Sequence, residues 1–418
     1  MSREPLVLLV HRIPYPPNKG DKIRSFHLLR HLAERYRVHL GAFVDDPADW
    51  AHAGALSELC AEVRLVPLRP RAARLRALGG LATGAPLTLP YYRSGAMRRW
   101  LRRTLRATGT RRLVAFSAAM AQYADEAAPG CTRVLDLVDV DSDKWRQYGQ
   151  RRRGPAGWVY RREARRLLAY ERRCAAAFDH TVLVSPAEAA LFLRLAPEAA
   201  GRVRVAGNGV DTDYFAPRPD LPDPYPAGAE PLVFTGAMDY WANADAVSWF
   251  AEAVLPRVRA RHPQAAFYVV GTRPGEAVQR LARLPGVRVT GGVPDIRPYL
   301  AHARLAVAPM RVARGIQNKV LEAFAMAKPV LATGAALDGL GLDAAYPLAA
   351  DSADEMARLA GEALGSGGSE LGAEMRRWVT RRFRWDRQLA AFGELLEGPA
   401  AAPEAAAVAE GWRVGGCP

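Results

Sequence analysis

Short apolar runs alternate with stretches whose apolar residues recur every three to four positions, and the alternation occurs twice along the chain. In the first half, residues 6–13, 38–44, 63–68, 113–117, 134–140, 181–185 and 203–206 read as buried strands. Residues 21–36, 158–178 and 186–195 read as helices. Strands near-continuously apolar and separated by helices predict a parallel sheet covered on both faces. Prolines 217, 219, 222, 224 and 226 then interrupt every period, as a linker would. Beyond them the pattern resumes, with strands at 232–235, 267–271, 287–290, 305–309, 330–333 and 347–349. Helices are expected at 244–261, 276–284, 296–302, 319–327 and 353–364, and a helical pair at 374–396. The reading is therefore α/β, with two Rossmann-like doubly wound domains at 1–217 and 231–380, joined by a linker at 218–230. Two such sheets facing each other would form a cleft at the carboxyl ends of their strands, where ligands of these sheets bind. Residues 398–418 are mostly Ala, Pro and Gly with little to bury, and disorder is expected there.

Composition sharpens this picture in three ways. Half of the 418 residues are hydrophobic, enough for two cores. No run approaches the roughly twenty apolar residues of a membrane span, and the N-terminus runs directly into a strand, so a cytoplasmic location is expected. Cys60, Cys131, Cys174 and Cys417 lack Cys-x-x-Cys spacing, and none of the eight histidines pairs at metal-ligand spacing. His11 and His27 read as packed or surface residues.

The net charge of +15 lies wholly in the first half: residues 1–217 carry 36 Lys and Arg against 21 Asp and Glu, and the remainder is balanced at 22 each. The excess concentrates at 69–76, 98–112 and 146–173. The last stretch interleaves Trp145, Trp158, Tyr160, Leu167, Leu168 and Tyr170 with arginines, a composition suited to anionic headgroups. A merely solvated basic face is the alternative. No RNA- or DNA-binding module accompanies these arginines, which argues against nucleic acid as the partner.

Residues 305–330 join a buried strand, a cation-bearing loop and a helix start. Gly315 permits close approach of backbone to ligand, and Asn318 is placed to cap the helix built by Val320, Leu321, Phe324 and Ala325. A helix N-terminus with Arg311, Arg314 and Lys319 around it suits a diphosphate, and Glu322 one turn in suits sugar hydroxyls. An ordinary capped helix with solvated cations fits the same residues.

Several further motifs fall in a fixed order. They are Arg12-Ile13-Pro14-Tyr15-Pro16-Pro17-Asn18-Lys19-Gly20-Asp21-Lys22-Ile23-Arg24-Ser25, Met120-Ala121-Gln122-Tyr123, Asp139-Val140-Asp141-Ser142, Asn208-Gly209-Val210-Asp211, Phe234-Thr235-Gly236-Ala237-Met238-Asp239-Tyr240, and the 315–325 segment. In this order and spacing, over residues 5–397, the chain resembles the retaining GT-B glycosyltransferases of family 4 (glycosyl transferases group 1). Within them it is most similar to the sugar transferases of PEP-CTERM/exosortase exopolysaccharide systems.

The resemblance implies a metal-independent hexosyltransferase without a cofactor. Its nucleotide-sugar donor would sit on the second domain and its acceptor, lipid-linked or a growing polysaccharide, on the first, with residues 381–397 as a helix crossing back to the first domain. It implies a cytoplasmic enzyme peripheral on the inner face of the plasma membrane, held there by the basic half. Donor-binding positions would be Gly236, Gly271, Arg311, Gly315, Ile316, Gln317, Asn318, Lys319 and Glu322. Lys319, Arg314 and Asp139 would be catalytic. Asn18, Lys19, Gly20 and Arg24 would form the acceptor and sugar loop, with Asn18 or Asp21 alternatively capping the following helix and Arg24 facing phosphate or solvent.

Three positions depart from the family's pattern. Arg314 stands where the first of two glutamates is usual, no histidine lies around 137–141, and the loop 237–243 carries no cation, so the diphosphate would lean on Arg311, Arg314 and Lys319. Asp139-Val140-Asp141 is the nearest approach to a metal motif, with positioning or strand-end capping the stronger reading. The other functions weighed are a GT-B epimerase or phosphorylase, a basic nucleic-acid binder and an inactive partner of the same fold.

Overall fold

The computed structural model describes residues 3–397 apart from 128, 314, 343–345 and 367–368. Arg314, Cys417 and the tail expected at 398–418 therefore lie outside the described residues. Contacts divide the chain into two units, one running to Gly207 and taking in the chain again from Leu389, the other spanning Asn208–Gln388.

The first unit holds a seven-stranded sheet of β1 (Pro5–Val10), β2 (Arg37–Val44), β3 (Glu62–Pro67), β4 (Arg112–Phe116), β5 (Thr132–Val138), β6 (His180–Leu183) and β7 (Val203–Val205). All pairings are parallel, in the order β3-β2-β1-β4-β5-β6-β7. Leu6 to Val10 are completely buried, because helices cover both faces and every position of a central parallel strand needs an apolar residue. The second unit holds β8 (Glu230–Thr235), β9 (Ala265–Val270), β10 (Val287–Gly291), β11 (Leu305–Ala308) and β12 (Val330–Ala332), parallel in the order β10-β9-β8-β11-β12. Each sheet reverses its winding beside its first strand, at β1/β4 and at β8/β11. Those are the switch points whose carboxyl ends leave a crevice between diverging loops. The fold is thus α/β, two Rossmann-like parallel-sheet domains of the GT-B type.

Several local expectations are corrected. Residues 347–349 form no strand but a single bridge between Ala332 and Ala349, since Tyr346 turns inward and spends its hydroxyl on the Val330 backbone. The helix expected at 244–261 begins at Trp241 and loosens to a π-turn at Phe250–Val254 before resuming at Leu255–Arg259. Pro256 explains this, because it has no N–H for the carbonyl four residues back. The proline-rich stretch 218–230 lies in the second unit, where Tyr225 is buried and its hydroxyl donates to the Tyr299 carbonyl at 2.7 Å.

In the stretch at 146–173 most aromatic and leucine residues turn inward, while arginines such as Arg152, Arg153, Arg165 and Arg166 are exposed. Leu167 and Tyr170 are core residues, Trp145 and Tyr160 pack on each other at 5.4 Å, and Arg162 is buried on the carbonyls of Gly80 and Ala85. Trp158 remains exposed.

Candidate functional site

At the switch point of the second unit, two glycines bring strand ends into contact. Gly236, directly after β8, has φ 154°, and a Cβ on Gly271, directly after β9, would lie 1.6 Å from the Gly236 carbonyl oxygen. No side chain fits there, so the tips of β8 and β9 close on each other and the loop 237–243 is set by backbone. Asn243 fixes that loop by donating from Nδ2 to the Ala237 carbonyl at 2.8 Å. Its Oδ1 accepts from Lys319 Nζ at 3.0 Å.

Lys319 comes from the helix Asn318–Ala325, which follows β11 and the loop 309–317. Its apolar residues Val320, Leu321, Ala323, Phe324 and Ala325 are buried and orient the first turn. The ammonium stands 4.9 Å above the centre of the Phe234 ring and 3.9 Å from Met310 Sδ. Glu322 follows one turn later on the same side. Both side chains are enclosed by protein while keeping a solvent-accessible edge. Burial pulls Lys319 down to about 8 against the opposing pull of Glu322, and burial pushes Glu322 up to about 7 against the attraction of Lys319. This is a poised cation and a poised carboxyl at the carboxyl edge of a parallel sheet.

The N-cap position is Gln317, extended and without a side-chain cap, so Asn318 does not cap the helix. It is the first helical residue, and its Oδ1 accepts from Asn208 Nδ2 at 3.2 Å, which ties the Asn-Gly turn to the helix start. Gly315 has φ 57°, a left-handed conformation suited to glycine, and a Cβ on Gly339 would fall 2.2 Å from the Gly315 carbonyl. Ile316 and Gln317 continue that loop half-buried. Arg311 does not join Lys319 in this structure. It is half-exposed and bidentate to Asp245 at 2.5 and 3.0 Å, beside the Trp249 ring, because that carboxylate offers it the nearest charge-assisted partner.

In the first unit, Asn18 and Gly20 are exposed and Lys19 is the N-cap residue of the helix Gly20–Arg35, without a side-chain cap hydrogen bond. Neither Asn18 nor Asp21 caps that helix. A Cβ on Gly20 would meet nothing within 4 Å, so the loop has open space beside it. Arg24, expected to face phosphate or solvent, is buried. It binds Asp136 through Nε at 2.8 Å and Nη2 at 3.2 Å, and Nη1 donates to the Gly207 carbonyl. Its position on the inward face of the helix beside a fully buried carboxylate makes it structural. Asp139 and Asp141 converge on Lys144 at 2.8 and 3.1 Å and, against the cost of burial, hold its ammonium charged. Asp139 is thus engaged in an ion pair. Among the described residues there is no group of three or more His, Cys, Asp or Glu able to hold a metal ion.

One arrangement was missed in the sequence. At the carboxyl end of β1, the His11 ring stacks on Phe116, its Nδ1 lies 3.4 Å from the Phe116 carbonyl, and its Nε2 lies 3.4 Å from Asp21 Oδ2. Arg12 bridges Asp21 and Asp45. Burial raises Asp21, but hydrogen bonding from His11 and the charges of His11 and Arg12 outweigh it and hold that carboxyl well below the usual range. The adjacent strand ends carry positive φ at Ser117 (87°) and Val138 (68°), strain of the kind that collects at functional edges. The only available signal was a histidine directly after a buried strand, which by itself is ordinary.

Two doubly wound parallel sheets, one with a poised lysine and glutamate at its switch point, define a protein of the GT-B fold. Residues 229–364 match the family model "Glycosyl transferases group 1". Among curated proteins, the chain is 29% identical over 221 residues to a GDP-mannose-dependent alpha-(1-6)-phosphatidylinositol monomannoside mannosyltransferase of Mycolicibacterium smegmatis, an alignment covering 46% of this chain and 55% of the relative. The chain thus spans about half the length of the curated relatives it matches. Among solved structures it resembles sucrose-phosphate synthase from Thermosynechococcus elongatus, with a TM-score of 0.68 at 19% identity, covering 94% of this chain and 98% of that one. It also resembles Anabaena HepE in complex with UDP and glucose, with a TM-score of 0.66 at 15% identity and coverage of 94% and 99%. The solved structures share the two-domain fold of this chain, and the match to the glycosyl transferases of group 1 covers residues 229–364.

Proposed function

We propose that this protein is a retaining, metal-independent glycosyltransferase that moves a hexosyl group from a nucleotide-sugar donor to a lipid-linked or polysaccharide acceptor in exopolysaccharide synthesis. In this reading the second unit binds the donor and the first the acceptor, at the inner face of the plasma membrane. The observation that carries it is the Lys319 ammonium, held between Phe234, Asn243 and Glu322 at the sheet's switch point. Cleavage of the sugar–phosphate bond leaves its electron pair on the departing nucleoside diphosphate. A desolvated cation and uncapped first-turn amides stabilise that charge more than bulk water would. Glu322, one turn in, accepts hydrogen bonds from sugar hydroxyls of the nucleotide. On the first unit, this reading gives contact with the acceptor to His11, which Asp21 and the Phe116 carbonyl orient, and to the loop of Asn18, Lys19 and Gly20, where open space lies beside Gly20.

The test is a thermal-shift and calorimetric screen of GDP-mannose, UDP-glucose and related donors, followed by assay of diphosphate release with and without lipid-linked saccharides. A saturating donor at 100 times its Kd should stabilise the fold by about 2.7 kcal/mol. Absence of uptake of every sugar nucleotide would overturn the reading.

A further inference from the structure

The helix Pro70–Thr83 buries its smallest residues and exposes its largest. Ala73, Ala77 and Gly80 face inward, while Leu75, Leu78 and Leu81 are 71%, 56% and 38% exposed. A helix placed only to complete the core would turn those leucines in. Fraying does not account for the arrangement, because the inner face is tightly held. A Cβ on Gly80 would sit 3.1 Å from the Ala85 carbonyl, buried Arg162 donates to the carbonyls of Gly80 and Ala85, and buried Glu163 accepts from the backbone N–H groups of Leu87 and Thr88. The leucine stripe is thus fixed outward, an exposed apolar patch of the kind that marks a docking surface.

Its surroundings specify the partner. Arg69, Arg71 and Arg74 are exposed, the helix contains no acidic residue, and Arg69, Arg71 and Arg74 share a groove with half-exposed Trp50. Arg76 is committed to the carbonyls of Pro90 and Tyr91. Leucines in a row, arginines at their N-terminal end and a tryptophan at the rim match the layers of a lipid surface: acyl chain, phosphate and interface. None of the described helices is long and apolar enough to cross a membrane, so such a helix lies on the surface.

We propose that the Pro70–Thr83 helix docks on an anionic lipid bilayer, with Leu75, Leu78 and Leu81 at the acyl boundary and Arg69, Arg71 and Arg74 on headgroup phosphates. This names the element behind the membrane contact in the functional reading above, on which it rests only for biological purpose.

The test is cosedimentation of the full chain with phosphatidylcholine vesicles containing about one-third phosphatidylglycerol. The triple variant L75S/L78S/L81S should lower partitioning about tenfold or more with an unchanged melting temperature, since all three leucines face solvent. R69Q/R71Q/R74Q should remove the preference for anionic over neutral vesicles and the sensitivity to salt. R152Q/R153Q/R165Q/R166Q, on exposed positions of the basic stretch 146–173, should retain most binding. Undiminished partitioning of the leucine variant overturns the proposal, as does failure of the wild type to bind vesicles. So does a wild-type dimer that the leucine variant dissociates, which would make the patch an interface between copies. Sugar-nucleotide titration of the same samples reports separately on the donor site, so one reading can fail while the other stands.

Discussion

Lys319 is stable as a cation only at a cost, since water on most sides is replaced by a ring, a thioether and one amide oxygen. Its folded pKa near 8 lies below the unfolded value, so protonation opposes folding, and stability from this group rises as pH climbs from about 8 towards 10.5. Lys319→Met should therefore raise the melting temperature at pH 7 while weakening donor affinity about tenfold or more, the size of a lost charge-assisted hydrogen bond. Thermal melts paired with calorimetric titration check both. A diphosphate favours the protonated form, so donor affinity should fall as pH rises past about 8. Glu322 accepts from hydroxyls at both oxygens, and with the strength of a charge, only once its proton is lost, so affinity should also fall below about 7. Glu322→Gln should remove that acid limb and leave the alkaline one. His11 offers a second check: His11→Ala should lower kcat with donor Kd unchanged, measured by single-turnover transfer. The pattern of the sequence pointed to Lys319 and Glu322 through the helix start alone. It did not reveal the partners of Arg24 and Arg311, because an arginine's partner is decided by which carboxylate the folded chain brings near, here Asp136 and Asp245.

Element by element, the buried strands were the most readable part, since β1 and β4 are apolar on both faces and β2 and β5 nearly so, each flanked by helical periods. Less readable were elements whose pattern answers to something other than the core. The Pro70–Thr83 helix carries almost no inward apolar stripe, and the 347–349 run is apolar yet bends away from its ladder after one bridge. Glycine contacts were legible as turns but not as steric necessities. Gly271→Ala should force β8 and β9 apart at the Gly236 carbonyl, costing about 3 kcal/mol or more and abolishing donor binding, which denaturant melts and titration would reveal. The Arg24–Asp136 pair makes a complementary prediction. Arg24→Ala leaves a fully buried carboxylate uncompensated and should cost about 3–5 kcal/mol, whereas Arg24→Met with Asp136→Leu should recover much of it.

Across the whole molecule, the first unit is assembled from two distant pieces of sequence. The helix Trp385–Glu397 passes from one unit to the other, and from Leu389 on its contacts belong to the first. Leu389, Phe392 and Leu396 are buried there, and Arg112 Nε donates to the Leu396 carbonyl at 2.9 Å. Ending the chain after Gln388 should therefore destabilise the first unit by about 5 kcal/mol or more, from about 1.5–3 kcal/mol for each buried side chain, and leave the second near its normal melting temperature. Two separated calorimetric transitions would show it. The same closure sets an order on biosynthesis. While the ribosome is still translating, the second unit has every described residue it needs soon after Gln388 emerges, but the nascent first unit keeps an open seam beside β4 until the helix Trp385–Glu397 clears the exit tunnel. Although it is made first, it is completed last.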